Sequence, residues 1–241
     1  MSGAGGKKGG GKGGKKTGVA VGSGRRKTVI VKGGGRRSSS TRWLQRQLND
    51  PYVHAAQDAG YRSRSTFKLI ELDERFHFLG PGKRVLDLGA APGGWSQVAA
   101  EGCSPGGAVV AVDIQEITPM AGVIILQMDA FAEDAIDRIG DALAGPADIV
   151  MSDMAAPATG HAATDHLRVV ALCEAALDIA GHILVPGGTF IAKVFKGGTE
   201  RDLLANLKRD FARVRHAKPP ASRSGSAEEY VIATGFRGGN N

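Results

Sequence analysis

Residues 85–95, Val-Leu-Asp-Leu-Gly-Ala-Ala-Pro-Gly-Gly-Trp, constrain the fold of this chain more than any other stretch. The short apolar run Arg84–Leu88 is typical of a strand buried on both faces, and it stops at Gly89. Two alanines, a proline and two glycines follow, and then a helical pattern begins. A strand, a glycine-rich turn and a helix start form a ligand site, because glycine lets a ligand approach the backbone and the helix start offers free N–H groups.

The composition of the turn narrows the kind of ligand. A dinucleotide site has the pattern G-x-G-x-x-G, but Ala91 stands where the middle glycine would follow Gly89. A P-loop has a lysine after its last glycine, and Trp95 follows Gly94 instead. A tight structural turn without a ligand would also use Gly and Pro. The sequence favours a ligand site for a smaller, less anionic cofactor, and S-adenosylmethionine fits that description.

Further apolar runs alternate with helical patterns along the chain. The expected strands after the first are 108–112, 123–128, 147–151, 189–195, 214–217 and 230–234. The expected helices between them are 131–143, 164–184 and 201–211. This alternation predicts an α/β fold with a doubly wound, mostly parallel sheet.

Acidic residues follow three of these strands. Asp113, Asp129 and Asp153 stand where ligands of doubly wound sheets bind, outside the carboxyl ends of the strands. Asp113 lies about 20 residues past the glycines, where an acid binds ribose hydroxyls. A single Asp at such a place is often only a turn residue or a helix cap. Three acids beside a glycine turn favour a ligand site.

Two lysines occupy unusual positions. Lys193 interrupts an apolar strand, which is costly unless the ammonium is paired or near water. It is either a snorkelling stem with its ammonium at the sheet rim or a functional amine. Lys68 falls in the first turn of a helix expected to begin at Ser65 or Thr66, where the helix dipole disfavours a cation. From this position alone we expect Lys68 to be a solvated surface lysine.

Composition bounds the class of protein. With 241 residues and 42% hydrophobic content, the chain is long enough for one α/β domain with a full core. No apolar run approaches the ~20 residues of a membrane helix, and residues 1–16 lack the apolar core of a secretory signal. Cys103 and Cys173 match no metal spacing and are expected to be buried. We expect a cytoplasmic protein without a metal or a membrane partner.

The net charge of +7 is unevenly distributed. Residues 1–42 hold seven Lys, five Arg and no acid, whereas the remainder holds 19 basic and 24 acidic side chains, a net charge of −5. We expect residues 1–37 to be a disordered basic tail, because so few apolar side chains cannot offset the entropy of ordering. The tail is either a polycation that follows a nucleic-acid backbone or a solubilising segment. Residues 38–236 then form a single domain, which opens with a helix carrying Trp43, Leu44 and Leu48, and 237–241 form a short tail.

Five motifs resemble one protein family. They are Ser-Arg-Ser-Thr-Phe-Lys-Leu (63–69), Val-Leu-Asp-Leu-Gly-Ala-Ala-Pro-Gly-Gly-Trp-Ser-Gln (85–97), Val-Met-Ser-Asp-Met-Ala (150–155), Ala-Lys-Val-Phe (192–195) and Glu-Glu-Tyr-Val-Ile-Ala-Thr-Gly (228–235). In this order they resemble the FtsJ/RrmJ-type (RlmE) ribosomal RNA large-subunit methyltransferases, over roughly residues 38–236.

The resemblance implies specific site residues. The family's catalytic Lys-Asp-Lys-Glu tetrad corresponds to Lys68, Asp153, Lys193 and Glu228. Glu228 is chosen over Glu229 because it lies two residues before the tyrosine of the last strand, a register that stays open by one. The implied S-adenosylmethionine contacts are Gly93, Trp95, Asp113, Asp129 and Asp153. Where the family commonly has Pro-Asn after Asp-Met-Ala, this chain has Ala156-Pro157-Ala158, so a substrate contact of that asparagine is in doubt.

The resemblance also implies a fold and an activity. The fold is a Rossmann-like class I methyltransferase with a seven-stranded, mostly parallel sheet and an antiparallel last strand. The activity is S-adenosylmethionine-dependent methylation of the 2′-hydroxyl of a uridine in the A-loop of large-subunit ribosomal RNA. The implied partner is that RNA in an assembled or late-assembling subunit, and the chain is expected to act as a monomer.

The residues leave two questions open: the catalytic role of Lys193, and whether the protein is an enzyme or a non-catalytic binding protein. Lys193 is either a general base or a cation that orients the hydroxyl and stabilises a developing alkoxide. A non-catalytic ribosome-assembly factor on a methyltransferase scaffold would also bind RNA, although it would be expected to lack a tetrad residue. A nicotinamide dehydrogenase is disfavoured by the missing middle glycine.

Overall fold

The computed structural model describes Thr41, Leu44, Gln45 and residues 47–196 and 201–238. Its elements in chain order are α1 (Pro51–Asp58), α2 (Thr66–Phe76), β1 (Arg84–Leu88), α3 (Gly94–Cys103), β2 (Ala108–Asp113), β3 (Val123–Gln127), α4 (Ala135–Leu143), β4 (Ala147–Ser152), α5 (Ala162–Ile183), β5 (Leu184–Phe195), α6 (Arg201–Asp210), β6 (Phe211–Ala217) and β7 (Glu228–Phe236). The predicted basic tail 1–37 and Trp43 lie outside the described residues.

Seven strands form one sheet in the order β3-β2-β1-β4-β5-β7-β6. Strands β1 to β5 pair in parallel, and β7 runs antiparallel to both of its neighbours, β5 and β6. The predicted mostly parallel sheet with an antiparallel last strand is therefore confirmed. The chain leaves β1 toward β2 on one side and returns to β4 on the other, so a crevice opens where β1 and β4 end.

Two apolar layers cover the sheet, because side chains of successive strand residues point to opposite faces. On one face, Leu86 and Val110 pack with residues of α4, α5 and α6 such as Ile139. On the other face, Val85 packs with residues of α2 and α3, including Leu69. Each fully buried side chain of this kind stabilises the fold by roughly 1.5–3 kcal/mol. Both cysteines are free and buried, as expected.

The expected elements are confirmed with shifted ends. Helix α4 begins at Ala135 rather than at 131, because the Phe131 N–H donates to the Asp129 carboxylate in a turn. Helix α5 begins at Ala162, two residues before the expected Thr164 cap. Strand β5 begins at Leu184, before Pro186-Gly187-Gly188, and its register with β4 shifts there. Within the described ranges, no helix is long and apolar enough to cross a membrane.

Candidate active site

The glycine turn lies at the crevice between β1 and β4. Gly89 and Gly93 adopt φ values of 72° and 104°, which L side chains rarely adopt. A Cβ added to Gly89 would lie 2.5 Å from Met154 Cγ, so the turn has no space for a larger residue. The Arg62 guanidinium donates hydrogen bonds to the carbonyls of Pro92 and Pro119, at 3.2 and 2.9 Å. Arg62 therefore connects the turn by hydrogen bonds to the segment that follows β2.

Asp87 lies directly beneath this turn. Its side chain is buried in β1, and Ser96 Oγ donates to its Oδ2 at 2.6 Å. Burial raises the pKa of Asp87 to about 7, against the opposing effect of the Ser96 hydrogen bond, and the Asp153 and Asp113 carboxylates add to the rise. Sequence reasoning missed this group, although a polar residue inside an apolar strand was the signal used for Lys193.

The acids after β2 and β3 lie at the same edge of the sheet, because these strands are parallel neighbours. Asp113 accepts the backbone N–H of Ala91, and thus connects the glycine turn to β2, at 2.8 Å. Asp129 is exposed. Each acid has an exposed apolar neighbour: Ile114 is 69% exposed and Phe131 is 49% exposed. Carboxylates that can accept hydroxyl groups beside exposed apolar side chains suit a ligand with a ribose and a flat base.

Trp95 is placed differently from what a side-chain contact with a cofactor would need. Its side chain is buried, its indole N–H donates to the Ser65 carbonyl at 2.8 Å, and its ring centroid lies 5.5 Å from that of Tyr230. The indole therefore packs between α2 and the sheet. What Trp95 offers to a ligand is its backbone N–H in the first turn of α3.

Four charged side chains meet where β4 ends beside β5. Lys193 Nζ donates to the Asp153 carbonyl at 2.6 Å and lies 3.2 Å from Asp153 Oδ1. Lys68 Nζ lies 2.8 Å from Glu228 Oε1 and 3.8 Å from Asp153 Oδ2. The structure therefore brings together all four residues of the expected tetrad. Their formal charges sum to zero, as a buried group of ions requires.

Asp153 is the centre of this cluster. Burial alone would raise the pKa of its carboxyl group, but the ammonium groups of Lys193 and Lys68 and the hydrogen bond from Tyr230 outweigh it. The net effect holds the pKa of Asp153 below its usual value. Asp153 is therefore a carboxylate at neutral pH and keeps both lysines close.

Pairing of β5 with β7 decides between the two adjacent glutamates. Lys193 pairs with Tyr230, so Tyr230 and Glu228 share a face of β7, while Glu229 pairs with Val194 and lies on the opposite face. Glu228 is accordingly the residue that contacts Lys68. Ser222 Oγ also donates to Glu228 Oε1 at 2.8 Å, which fixes the carboxylate from the other side.

The expectation that Lys68 is a solvated surface lysine is wrong. The Lys68 side chain is only 8% exposed, and the neighbouring Phe67 and Leu69 are buried as well. The first turn of α2 packs across the end of the sheet, where carboxylates and not water surround the ammonium. The dipole of α2 disfavours a cation at this position, but Asp153 and Glu228, which lie outside α2, supply the opposite charges. Lys193 is likewise 8% exposed and paired, which excludes a snorkelling side chain at the rim.

Tyr230 belongs to the same cluster and was missed as a functional candidate. Its hydroxyl donates to Asp153 Oδ1 at 2.8 Å and accepts from Lys68 Nζ at 3.1 Å. Burial, followed by the nearby carboxylates of Asp153 and Glu228, raises the pKa of Tyr230 well above its ordinary value. The phenol therefore stays neutral and bridges the lysine and the carboxylate. Its position two residues after Glu228 was the available signal.

Comparison with known proteins adds an independent finding. The model of the FtsJ-like methyltransferase family matches residues 61–236. A protein of Paramagnetospirillum magneticum named ribosomal RNA large subunit methyltransferase E is 65% identical over 205 residues, which cover 83% of this chain and 84% of the relative. A Parvibaculum lavamentivorans protein of the same name is 57% identical over 211 residues and 83% of each chain.

A solved structure is similar as well. A Plasmodium falciparum protein, provisionally described as a ribosomal RNA methyltransferase, superposes with a TM-score of 0.66 at 28% identity, over 74% of this chain and 100% of that chain. These likenesses favour a methyltransferase over a nicotinamide dehydrogenase, which the missing middle glycine of the turn already disfavoured. Within the part of the chain that the structure describes, no group of three or more His, Cys, Asp or Glu side chains could hold a metal ion.

Proposed function

Since this chain belongs to the FtsJ-like methyltransferase family, we propose that it transfers a methyl group from S-adenosylmethionine to the 2′-hydroxyl of a uridine in the A-loop of large-subunit ribosomal RNA. The observation that carries the proposal is the buried cluster of Lys68, Asp153, Lys193 and Glu228 beside the glycine turn. The name shared by the two relatives, ribosomal RNA large subunit methyltransferase E, supports the choice of substrate.

The residues of the crevice fit S-adenosylmethionine. Gly93 leaves the backbone bare at the start of α3, and Asp113 and Asp129 are the candidate acceptors for ribose hydroxyls. Exposed Ile114 and Phe131 offer apolar surface for an adenine ring. When bound, the sulfonium supplies an already activated methyl group, so no residue has to activate the donor.

The cluster would act on the acceptor hydroxyl. The Asp153 carbonyl and carboxylate lie 2.6 and 3.2 Å from Lys193 Nζ, so the acceptors around this nitrogen are those that pair with a cation. Of the two roles open to Lys193, we therefore choose the cation: its remaining N–H orients the ribose oxygen and stabilises the negative charge that develops on it. The hydroxyl proton passes to water as the C–O bond begins to form, so the oxygen has alkoxide character while the methyl group moves to it and its bond to sulfur breaks. Lys68, Glu228 and Tyr230 hold Asp153 and Lys193 in place.

The remaining parts of the chain have roles in the same proposal. Residues 38–236 are the catalytic domain, which works as a single chain in the cytoplasm on an assembled or late-assembling large subunit. Residues 1–37, with a net charge of +11, strengthen contact with RNA by releasing counterions from the phosphate backbone. Removal of 1–37 should then lower the slope of log affinity against log salt, and an unchanged slope would leave only a solubilising tail.

The reaction can be tested with large subunits from cells that lack this protein. Purified protein and S-adenosylmethionine should restore one 2′-O-methyl group, mapped by its resistance to alkaline cleavage, to a uridine of the A-loop. A Lys193→Met variant is the matched negative control. A protein that binds the subunits tightly but adds no methyl group would support the assembly-factor alternative and refute the enzyme.

A further inference from the structure

A cavity of about 670 Å³ adjoins the charged cluster on the side away from the glycine turn. Lys193 and Glu228 form part of its wall, and the rest comes from the segment after β4, the start of α5, the end of β5 and the two residues before β7. Its volume lies within the range of roughly 300–1,000 Å³ that small-molecule sites occupy. The cavity is therefore large enough for a nucleotide whose ribose reaches Lys193.

Two flat rings line this cavity. Phe195 follows Lys193 by two residues on β5, so both side chains lie on the same face of the strand. The His166 ring of α5 lies 6.3 Å from the Phe195 ring, at an interplanar angle of 34°. Both side chains are half-buried. Together they present an aromatic surface that begins two residues after Lys193 on β5.

The loop that closes the cavity offers methyl groups rather than polar side chains. Five alanines of the cavity wall come from this loop and the start of α5: Ala155, Ala156, Ala158, Ala162 and Ala163. The loop is held by Asp165, whose carboxylate accepts the N–H of Thr159 at 2.8 Å and that of Gly160 at 3.3 Å. A fixed apolar wall opposite an aromatic surface suits a flat ring.

The charge available in the cavity is positive. Arg168 and Lys196 line it with exposed side chains. The two acids of the wall are already engaged, Asp165 with the loop and Glu228 with Lys68 and Ser222. Arg168 interacts with the Asp165 carboxylate and donates to the Pro157 carbonyl at 3.3 Å, but its exposed guanidinium has further N–H groups. An anionic group that enters the cavity therefore meets Lys196 and the outer N–H groups of Arg168.

On the basis of the proposed function, we propose that this cavity binds the acceptor nucleotide of an unpaired RNA segment. The base stacks on Phe195 and His166, and the neighbouring phosphates lie at Arg168 and Lys196. Single-stranded RNA is commonly bound in this way, because every base has a face that stacks on an aromatic side chain. The target nucleotide must leave its stack in the RNA to reach Lys193.

The ring of Phe195 can be tested by steady-state methylation of large subunits with saturating S-adenosylmethionine. Phe195→Leu should raise the KM for the subunit by about 5- to 100-fold, the range found when one base loses its aromatic partner. Phe195→Tyr, which keeps the ring, should stay within about twofold of the wild type. Phe76→Leu is the matched control, since it shortens a half-buried phenylalanine at the far end of α2.

Two further measurements separate a binding role from a structural one. S-adenosylmethionine affinity by calorimetry should be equal in wild type and Phe195→Leu. Arg168→Gln should reduce the slope of log affinity for large-subunit RNA against log salt by about one. Arg213→Gln, an exposed arginine at the opposite end of the sheet, should leave that slope unchanged.

An unchanged KM in Phe195→Leu, or an equal loss in Phe76→Leu, would overturn the inference. If the wild type transfers no methyl group at all, the proposed function fails, and direct RNA binding then decides the fate of the cavity. Affinity for large-subunit RNA that falls in Phe195→Leu but not in Phe195→Tyr would keep the cavity as a base-binding site. Equal affinity of both variants for large-subunit RNA would refute a base-binding role of the cavity.

Discussion

Glu228 and Glu229 provide a matched pair of substitutions at adjacent positions of β7. Glutamine replaces each side chain with one of almost the same shape and removes one negative charge. Only Glu228 contacts Lys68, because Glu229 lies on the opposite face of the strand. Glu228→Gln should therefore destabilise the protein and slow the reaction, while Glu229→Gln should do neither.

The magnitude follows from the geometry around Lys68. Unit charges 2.8 Å apart attract by about 6 kcal/mol at an effective dielectric constant of about 20. Removal of one partner of a buried pair typically costs about 3–5 kcal/mol. Here Lys68 keeps Asp153 at 3.8 Å and the Tyr230 hydroxyl at 3.1 Å. We therefore expect a loss of about 1–3 kcal/mol in the free energy of unfolding for Glu228→Gln, and less than about 0.5 kcal/mol for Glu229→Gln.

The rate should respond through Asp153. Without the Glu228 charge, the Lys68 ammonium is attracted by Asp153 alone, which shifts the carboxylate that positions Lys193. A misplacement worth about 1.4 kcal/mol in the transition state lowers the single-turnover rate about tenfold. Affinity for S-adenosylmethionine should stay unchanged, because neither glutamate lies at the glycine turn.

Urea unfolding and single-turnover methylation of large subunits at saturating cofactor measure the two effects. Equal unfolding free energies and equal rates in the two variants would refute the assignment of Glu228. A larger loss in Glu229→Gln would show that the pairing of β5 and β7 in solution differs by one residue from the register in which Lys193 pairs with Tyr230.

Three other substitutions address the remaining parts of the site. Lys193→Met should lower the single-turnover rate by ~10²–10⁴-fold with subunit binding retained, because the cation at the ribose oxygen is lost. In the wild type, the free energy of unfolding measured with urea should fall by up to about 4 kcal/mol from about pH 4 to about pH 8. The reason is that the raised pKa of about 7 lets Asp87 keep a proton in the folded protein that the unfolded chain has released. Asp87→Asn should remove this fall. Gly93→Val should abolish calorimetrically measured binding of S-adenosylmethionine, because a branched side chain would fill the turn at a φ of 104°.

Each of these expectations has a contrary result. A Lys193→Met enzyme with more than about a third of the wild-type rate would exclude the charge-stabilising role. A parallel pH dependence of stability in wild type and Asp87→Asn would mean that Asp87 is ionised in the fold. Full cofactor affinity in Gly93→Val would place the cofactor elsewhere.

The strands of the parallel part of the sheet could be predicted from the sequence because each contains a mostly apolar run that a turn or an acid follows. Arg84–Leu88 matches the expected strand in both of its ends. Helix ends were less accurate: Thr164 was expected to cap α5, but the helix begins at Ala162. Asp165 in its first turn accepts the N–H groups of Thr159 and Gly160, and no local pattern encodes that use. Local patterns thus predict which element forms, whereas tertiary contacts decide where it stops.

The residues of the site show the same difference between local patterns and tertiary contacts. The sequence indicated the strand-end acids and Lys193 because each is a charged residue within or directly after an apolar run. The burial of Lys68 was not visible, because its partners Asp153 and Glu228 are separated from it by about one third and two thirds of the chain. Tyr230 was missed for another reason: a tyrosine in a strand breaks no local rule, and only its spacing of two residues from Glu228 indicated that it shares a face with that glutamate.

The reversed direction of β7 is what completes the cluster. Ligand sites of parallel sheets are built from residues that follow the strands, and Asp153 after β4 is of this kind. An antiparallel strand brings its first residues to that same edge, so Glu228 and Tyr230, at the start of β7, meet Asp153 beside Lys193. A shift of one residue in the pairing of β5 and β7 would turn both side chains away and present Glu229 instead. The register of this one strand pair therefore determines which side chains hold Asp153 and Lys193 in place.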